Sequence, residues 1–470
     1  MSREASTPSS TLPRWARVGA WIIIPLAGTL WAASGLRGLW FFYDEWSMID
    51  RVMHTDAATG MLMSFNGHLW MFQYLVYGAQ VSWFGIGHHW FIDAVLLLSL
   101  LSLQLAIATL LRITSVPVVT ALVAAGLLTY LGVAAQNMLF GVELSPDLAI
   151  ALCVWAAAVA IRFRPGWFSC AAVGTLLLAA VGVDSGAALA MAAFGAIVTV
   201  LTWRNWSALV VTPSLIALGA WYAFAPLGPS WPGSLGVRAA FTVHLFLQAF
   251  GGLVGGGQTQ GIVLSVFAAA FLWLGIQRGI LAGAIRTLFI AGAVAVVVTV
   301  GAIAQSRAAL VGSDFIDFNR YLTDVDVPLV LALAPLIAGS VRSVVTGIFP
   351  KGMPNPSAQV VRMLPPTLLF AAFLLGLGSF TSYAQSFKSW NLNVHESANS
   401  AATVIAAGCP PGRSLDLASQ PAGSLSPQIT TQLIGDLMAR GEFVPPRGWT
   451  VPPQVVAVMC KPSAASHSSG

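Results

Sequence analysis

Apolar runs about as long as a bilayer is thick recur along most of this chain, and no other feature limits its fold so strongly. Each lies near the ~20 residues a helix needs to cross hydrocarbon. Hydrocarbon offers the backbone no hydrogen bonds, so runs of this length must satisfy themselves as helices. We place about eleven spans, at 18–36, 91–111, 117–135, 146–161, 167–183, 185–201, 207–224, 262–276, 287–304, 327–339 and 365–383. Two apolar stretches, 69–84 and 241–254, are shorter or broken by Gly and His, and predict helices lying in or dipping into the outer interface. With 57% hydrophobic and only 8% charged residues, the chain cannot present a soluble surface of its own. The expected fold is an all-α polytopic membrane protein.

The basic residues divide unevenly between alternate loops. Arg3, Arg14, Arg17, Arg112, Arg162, Arg164, Arg204, Arg278, Arg286, Arg342, Lys351 and Arg362 fall on one side, with Glu4 the only acid among them. Short loops rich in Lys and Arg stay cytoplasmic. The expected topology is therefore multi-pass in the cell membrane, with the N-terminus inside and the C-terminus outside. The other acids and all seven histidines lie on the opposite side, so the polar chemistry is expected on the extracytoplasmic face. No cluster of Lys or Arg interleaved with aromatics appears, which argues against nucleic acid as a partner.

Three regions follow: a cytoplasmic tail over 1–17, a transmembrane domain over 18–384 and an extracytoplasmic module over 385–470. The last is polar and rich in Ser, Pro and Gly. It contains Cys409 and Cys460, and two cysteines in a small exported module predict a disulfide. Ser426-Pro427 predicts the N-cap and first residue of a helix over 427–440. The module reads as a capping domain or lid.

The first outer loop, FFYDEWSMIDRVMHTDAATGMLMSFNGH, is unusually dense in proton-transfer groups. Asp44 and Glu45 sit side by side between Tyr43 and Trp46, and adjacent acids at a membrane surface repel each other and resist desolvation. In the plain reading they only mark an outer surface; in the functional one they take a proton from a hydroxyl arriving with lipid. Asp50 and His54 fall one turn apart on a helix expected to lie flat on the membrane. Asn66-Gly67-His68 opens the next interfacial helix, with Asn66 a cap or a cavity residue and His68 a structural or donor-binding one. His88-His89 reads as an interfacial pair, and no third ligand stands at metal-binding spacing. Ser145-Pro146-Asp147 reads as a cap and first turn, whereas Glu143 and Asp184 are candidates to line a cavity. Arg307 and Arg320 flank a late outer loop, where a guanidinium suits a phosphate; pairing of Arg320 with Asp317 or Asp324 is the plainer alternative. The Gly-rich segment 251–257 lacks P-loop spacing.

The signal-anchor span, the Tyr43-Asp44-Glu45-Trp46 loop, the interfacial helices and the Asn319-Arg320-Tyr321 entry to a late span together resemble the GT-C superfamily of glycosyltransferases. The Asn66-Gly67-His68 turn is most similar to its bacterial, actinobacterial integral-membrane branch. The resemblance implies a polyprenyl-phosphate sugar donor, a cell-envelope glycan or glycolipid acceptor, membrane lipids as partners and inverting transfer on the extracytoplasmic side. It implies Asp44 as catalytic base, Glu45 as a supporting acid or acceptor-positioning group, and Arg320, with Tyr321, His68 and Arg307, at the donor phosphate. Tyr43, Trp46, Asn66, Glu143 and Asp184 would face the acceptor or line the cavity. Some members of the superfamily use a divalent metal, but these residues form no evident ligand set. A flippase for a lipid-linked sugar and a non-catalytic envelope-assembly subunit are the competing classes.

The topology is directly testable. A single cysteine at Ala58 should react with a membrane-impermeant maleimide in intact cells, and one at Arg278 only after permeabilisation. The reverse pattern would put the acidic loop in the cytoplasm.

Overall fold

The computed structural model describes residues 13–65, 68–130, 135–224, 233–253, 257–311, 320–348 and 356–462. Its first part runs α1 (Arg14–Leu36), α2 (Asp44–His54), α3 (Ala57–Leu62), α4 (Met71–Ala79), α5 (Trp90–Ile113), α6 (Val118–Tyr130), α7 (Ala135–Leu139) and α8 (Leu144–Arg162). It continues through α9 (Trp167–Val183), α10 (Ser185–Phe224), α11 (Leu235–Gly252), α12 (Gln258–Gln277), α13 (Gly283–Val311), α14 (Arg320–Ile348) and α15 (Pro356–Ala407). Two short strands, β1 (Arg413–Leu415) and β2 (Cys460–Pro462), pair antiparallel around α16 (Thr431–Ala439) and α17 (Pro453–Met459). Among the described residues seven helices are long and apolar enough to cross a bilayer, and α6 and α9 are shorter apolar helices beside them. This is a helical, multi-pass membrane protein.

Charge at the ends of α5 and α8 fits the direction of those two helices. Asp93 lies in the first turn of α5 and Arg112 in its last; Asp147 and Arg162 repeat the pattern in α8. Acids near an N-terminus and bases near a C-terminus complement the helix dipole. Alanine packs α8 closely among its neighbours: Ala149, Ala151, Ala156, Ala157 and Ala160 are all fully buried. At Gly195 of α10 an added side chain would press on the Cys153 carbonyl and Leu177, so glycine permits that close approach.

The α10 run holds two helices. Its backbone leaves helical geometry at Arg204 (φ 19, ψ −72), where the Trp203 indole donates to the Phe163 carbonyl at 3.1 Å. The two spans expected at 185–201 and 207–224 thus meet at a sharp turn, and the Tyr222 hydroxyl returns to the Ser185 carbonyl. The acids at the starts of α5, α8 and α10 share one end of the bundle. Arg112, Arg162 and Arg204 lie at the other, about 28 Å away along α5 from Asp93 to Arg112 at 1.5 Å per residue.

Three local expectations are corrected. The stretch expected as an interfacial helix at 241–254 is longer, because Ser234 accepts from Val237 N–H and starts α11 at Leu235. It packs against α12, α13 and α14. Helix α8 begins at Leu144 after a short 3₁₀ turn, so Ser145 is inside the helix rather than its cap. The helix expected from Pro427 begins at Thr431, capped by the Thr430 hydroxyl at 3.1 Å from Leu433 N. Ser426, read from its sequence as the cap, is engaged elsewhere.

The change of composition after residue 384 falls inside α15, which carries the chain unbroken to Ala407. Beyond it Cys409 and Cys460 form the expected disulfide across 51 residues. The segment it closes shares one apolar core with the first loop: Ile429, Leu433 and Leu437 are buried together with Phe41, Trp46, Ile49 and Met53. A loop of that length carries a closure term of about 4 kcal/mol. Replacing both cysteines by serine should expose 410–459 to protease under conditions where the parent resists, leaving the membrane helices uncut.

Candidate active site

The site is built from the turn entering α2. Trp40 N–H donates to Asn391 Oδ1 at 2.8 Å, Asn391 Nδ2 returns a bond to the Trp40 carbonyl, and the Trp40 indole donates to the Ile86 carbonyl at 2.7 Å. The Trp46 indole donates to the Phe41 carbonyl. With its backbone held and its rings buried, the chain turns at Tyr43, whose φ of 50° is unusual for a non-glycine residue. Tyr43 remains 38% exposed, while Asp44, Glu45 and Trp46 are buried immediately after it.

Glu45 is held on both oxygens. Its Oε1 accepts from the Tyr77 hydroxyl at 2.6 Å and faces His89 Nε2 at 2.7 Å; its Oε2 accepts from Phe42 N–H at 2.8 Å. The other ring nitrogen of His89 meets Asp93 Oδ1 at 2.7 Å. Burial alone would push the His89 imidazole down, but Glu45 and Asp93 outweigh it and lift it to about 10. The ring is therefore an imidazolium at neutral pH, donating from both nitrogens between two carboxylates. Burial and the Glu45 charge likewise push the Tyr77 phenol well up, keeping it a neutral donor. A side chain at Gly141 would strike Glu45, Ile92 and His89, so only glycine lets the turn before α8 close over this group.

His89, then, is not an interfacial residue. It is 5% exposed, while its neighbour His88 is exposed. The sequence reading missed Tyr77, His89, Asp93 and Gly141. The available signal was the i,i+4 spacing of His89 and Asp93 at a helix start.

Other expected residues gather at the same end. Glu143 is 6% exposed in the turn before α8, a turn that contacts α2. Asp147 is fully buried, and Asn137 Nδ2 approaches its Oδ1 at 3.4 Å. His68, one-third exposed, is paired through Nδ1 with buried Asp184 at 3.2 Å. Asp184 Oδ1 also accepts from Gly186 N–H at 2.7 Å, and Ser185 Oγ accepts from Leu69 N–H. The α9–α10 junction thereby fixes both the His68 ring and the chain following it. Asp50 and His54 do form one turn of α2, with Nδ1 to Oδ1 at 3.1 Å.

Arg307 is half-buried near the end of α13. Arg320 and Tyr321 open α14, but their side chains lie outside the described residues, as do Asn66 and Asn319. Among the described residues no three His, Cys, Asp or Glu converge as metal ligands. The densest set, Glu45, His89 and Asp93, is closed on itself, and a protonated imidazole offers a metal no lone pair.

No family model matches the sequence, and no curated protein matches it. Among solved structures the chain is similar to the crystal structure of ArnT from Cupriavidus metallidurans bound to undecaprenyl phosphate. The TM-score is 0.48 at 14% identity, over 91% of this chain and 85% of that one. A likeness at that level transfers no residue role, substrate or bacterial branch to this chain.

The buried ion chain makes a stability prediction. His89→Ala leaves Glu45 and Asp93 without their shared cation, and breaking such a pair from one side costs about 3–5 kcal/mol. The denaturation midpoint in detergent should fall accordingly. Asp50→Ala, on an exposed pair, should move it by less than about 1 kcal/mol.

Proposed function

We propose that this protein is a GT-C-type glycosyltransferase. It moves a sugar from a polyprenyl-phosphate donor to a glycan or glycolipid acceptor of the cell envelope, on the extracytoplasmic side. The observation that carries the reading is the division of labour between the paired acids. Glu45 spends both oxygens on His89, Tyr77 and the Phe42 amide, which suits an anion that holds geometry. Asp44, which Glu45 adjoins at the N-terminus of α2 beside the half-open Tyr43, is the acid we assign to proton transfer.

In this mechanism Asp44 takes the proton of an acceptor hydroxyl as its oxygen attacks the anomeric carbon. The bond from that carbon to the phosphate oxygen breaks on the opposite face, and the electron pair leaves with the polyprenyl phosphate. The configuration inverts. A phosphate is already a stabilised leaving group, so positioning and charge do most of the work. Arg320, with Tyr321 and Arg307, holds the donor phosphate. His68, oriented through Nδ1 by Asp184, presents its Nε2 to the same group. Tyr43, Trp46, Asn66 and Glu143 shape the acceptor side.

One observation favours a transport reading instead. Asp326, inside the α14 span, is fully buried, and neither of its carboxylate oxygens has a hydrogen-bond partner. Ionisable groups within spans are typical of ion and substrate pathways. The two readings separate in one experiment. Purified protein supplied with polyprenyl-phosphate sugars and envelope glycolipid should yield glycosylated product. Asp44→Asn should lose at least about a hundredfold of that turnover, given the 10²–10⁴ supplied by a general base, at unchanged expression and melting. Lipid movement across vesicles without product would support transport, and full turnover by Asp44→Asn would end the proposed mechanism.

A further inference from the structure

Helix α2 is gripped at both ends by a segment nearly four hundred residues later. At its start, Tyr43 N–H donates to Ser426 Oγ at 3.1 Å, and Ser426 is fully buried. At its finish, Arg440 Nη2 donates to the Met53 carbonyl at 2.8 Å, and His54 Nε2 lies 3.2 Å from Asp436 Oδ2. Between these points Leu433 and Leu437 share a core with Trp46 and Ile49, and Phe443 packs on Trp40 with ring centroids 5.9 Å apart. The gripped residue at the start is the one in the left-handed region: Tyr43, φ 50° and ψ −115°. A side chain there is strained, and such strain persists only where surrounding contacts over-determine it.

We infer that the disulfide-closed C-terminal segment is a buttress for the acidic helix rather than a lid, and that Ser426 is a positioning residue that sets Asp44 by holding the strained Tyr43 turn. The Ser426 hydroxyl accepts the Tyr43 N–H, a backbone donor just ahead of the first helical residue. Remove it, and Tyr43 gains freedom to relax toward ordinary backbone angles. Because Asp44 follows directly, its carboxylate turns with it. The catalytic consequence rests on the glycosyltransferase reading; the mechanical one does not.

The test is amide hydrogen exchange by mass spectrometry on the full-length protein in nanodiscs, using Ser426→Ala, Tyr43→Gly and the double variant. Glycine adopts positive φ without strain, so the turn in Tyr43→Gly no longer needs holding. Ser426→Ala should speed exchange of peptides covering 41–48 by about tenfold, the size of one lost hydrogen bond, while α5 and α8 stay protected. In the Tyr43→Gly background the same change should have under about a threefold effect. No local effect of Ser426→Ala, equal effects in the two backgrounds, or loss of protection throughout the bundle would each overturn the inference. Turnover of a polyprenyl-phosphate sugar adds a separate arm. Ser426→Ala should lower kcat and leave KM for the donor in place, and unchanged kcat would refute the positioning of Asp44. A parent protein with no turnover counts against the glycosyltransferase reading alone, since the exchange result stands without it.

Discussion

Carboxylates buried beneath packed aromatic rings are stabilised as anions when positive charge is buried with them. Here that charge is the His89 ring, set between Glu45 and Asp93 at 2.7 Å on each side. The contact joins the first loop to the start of α5, and the Gly141 turn closes over it from α8. Three separate stretches of chain are therefore registered against one imidazolium. With Glu45 held by three partners, the residue before it is kept near the N-terminus of a helix, where the macrodipole favours negative charge. The arrangement thereby gives the Asp44 residue a defined place at the start of α2.

The same logic runs through the second polar group. Asp184, buried where α9 ends and α10 begins, takes a backbone amide from Gly186 and orients the His68 ring. Partner groups that fix a ring's orientation are a recurrent way to prepare an imidazole for a ligand. Both groups stand at the acidic end of the bundle, opposite the arginines of α5, α8 and the α10 kink. Separation of charge along the helices and convergence of polar chemistry at one end are thus a single fact viewed twice.

Much of the membrane architecture was legible because hydropathy is a local signal. The turn at Arg204 and the Cys409–Cys460 bridge follow from neighbours in sequence or from compartment. The acidic loop was legible for the same reason: two adjacent acids between aromatics are costly wherever they lie. What stayed hidden was decided by distant partners. His88-His89 reads as a pair of interfacial rings until Glu45, 44 residues earlier, draws one of them inward. Ser426-Pro427 is a sound local start for a helix, but Tyr43 claims the hydroxyl and the helix waits for Thr430. Stretch 241–254 is apolar enough to be seen locally, but its helix starts earlier, at Leu235, and includes Arg238, which bonds Gln305 of α13.

The span of 383 residues between Tyr43 and Ser426 has a bearing on biogenesis. The acidic helix leaves the ribosome early, yet its contacts come from a much later segment that a disulfide closes. A nascent chain can thread all its spans into the bilayer while its reactive corner is still unformed. Ordering of that corner is thereby deferred until the segment carrying Ser426 has been made and has packed against it.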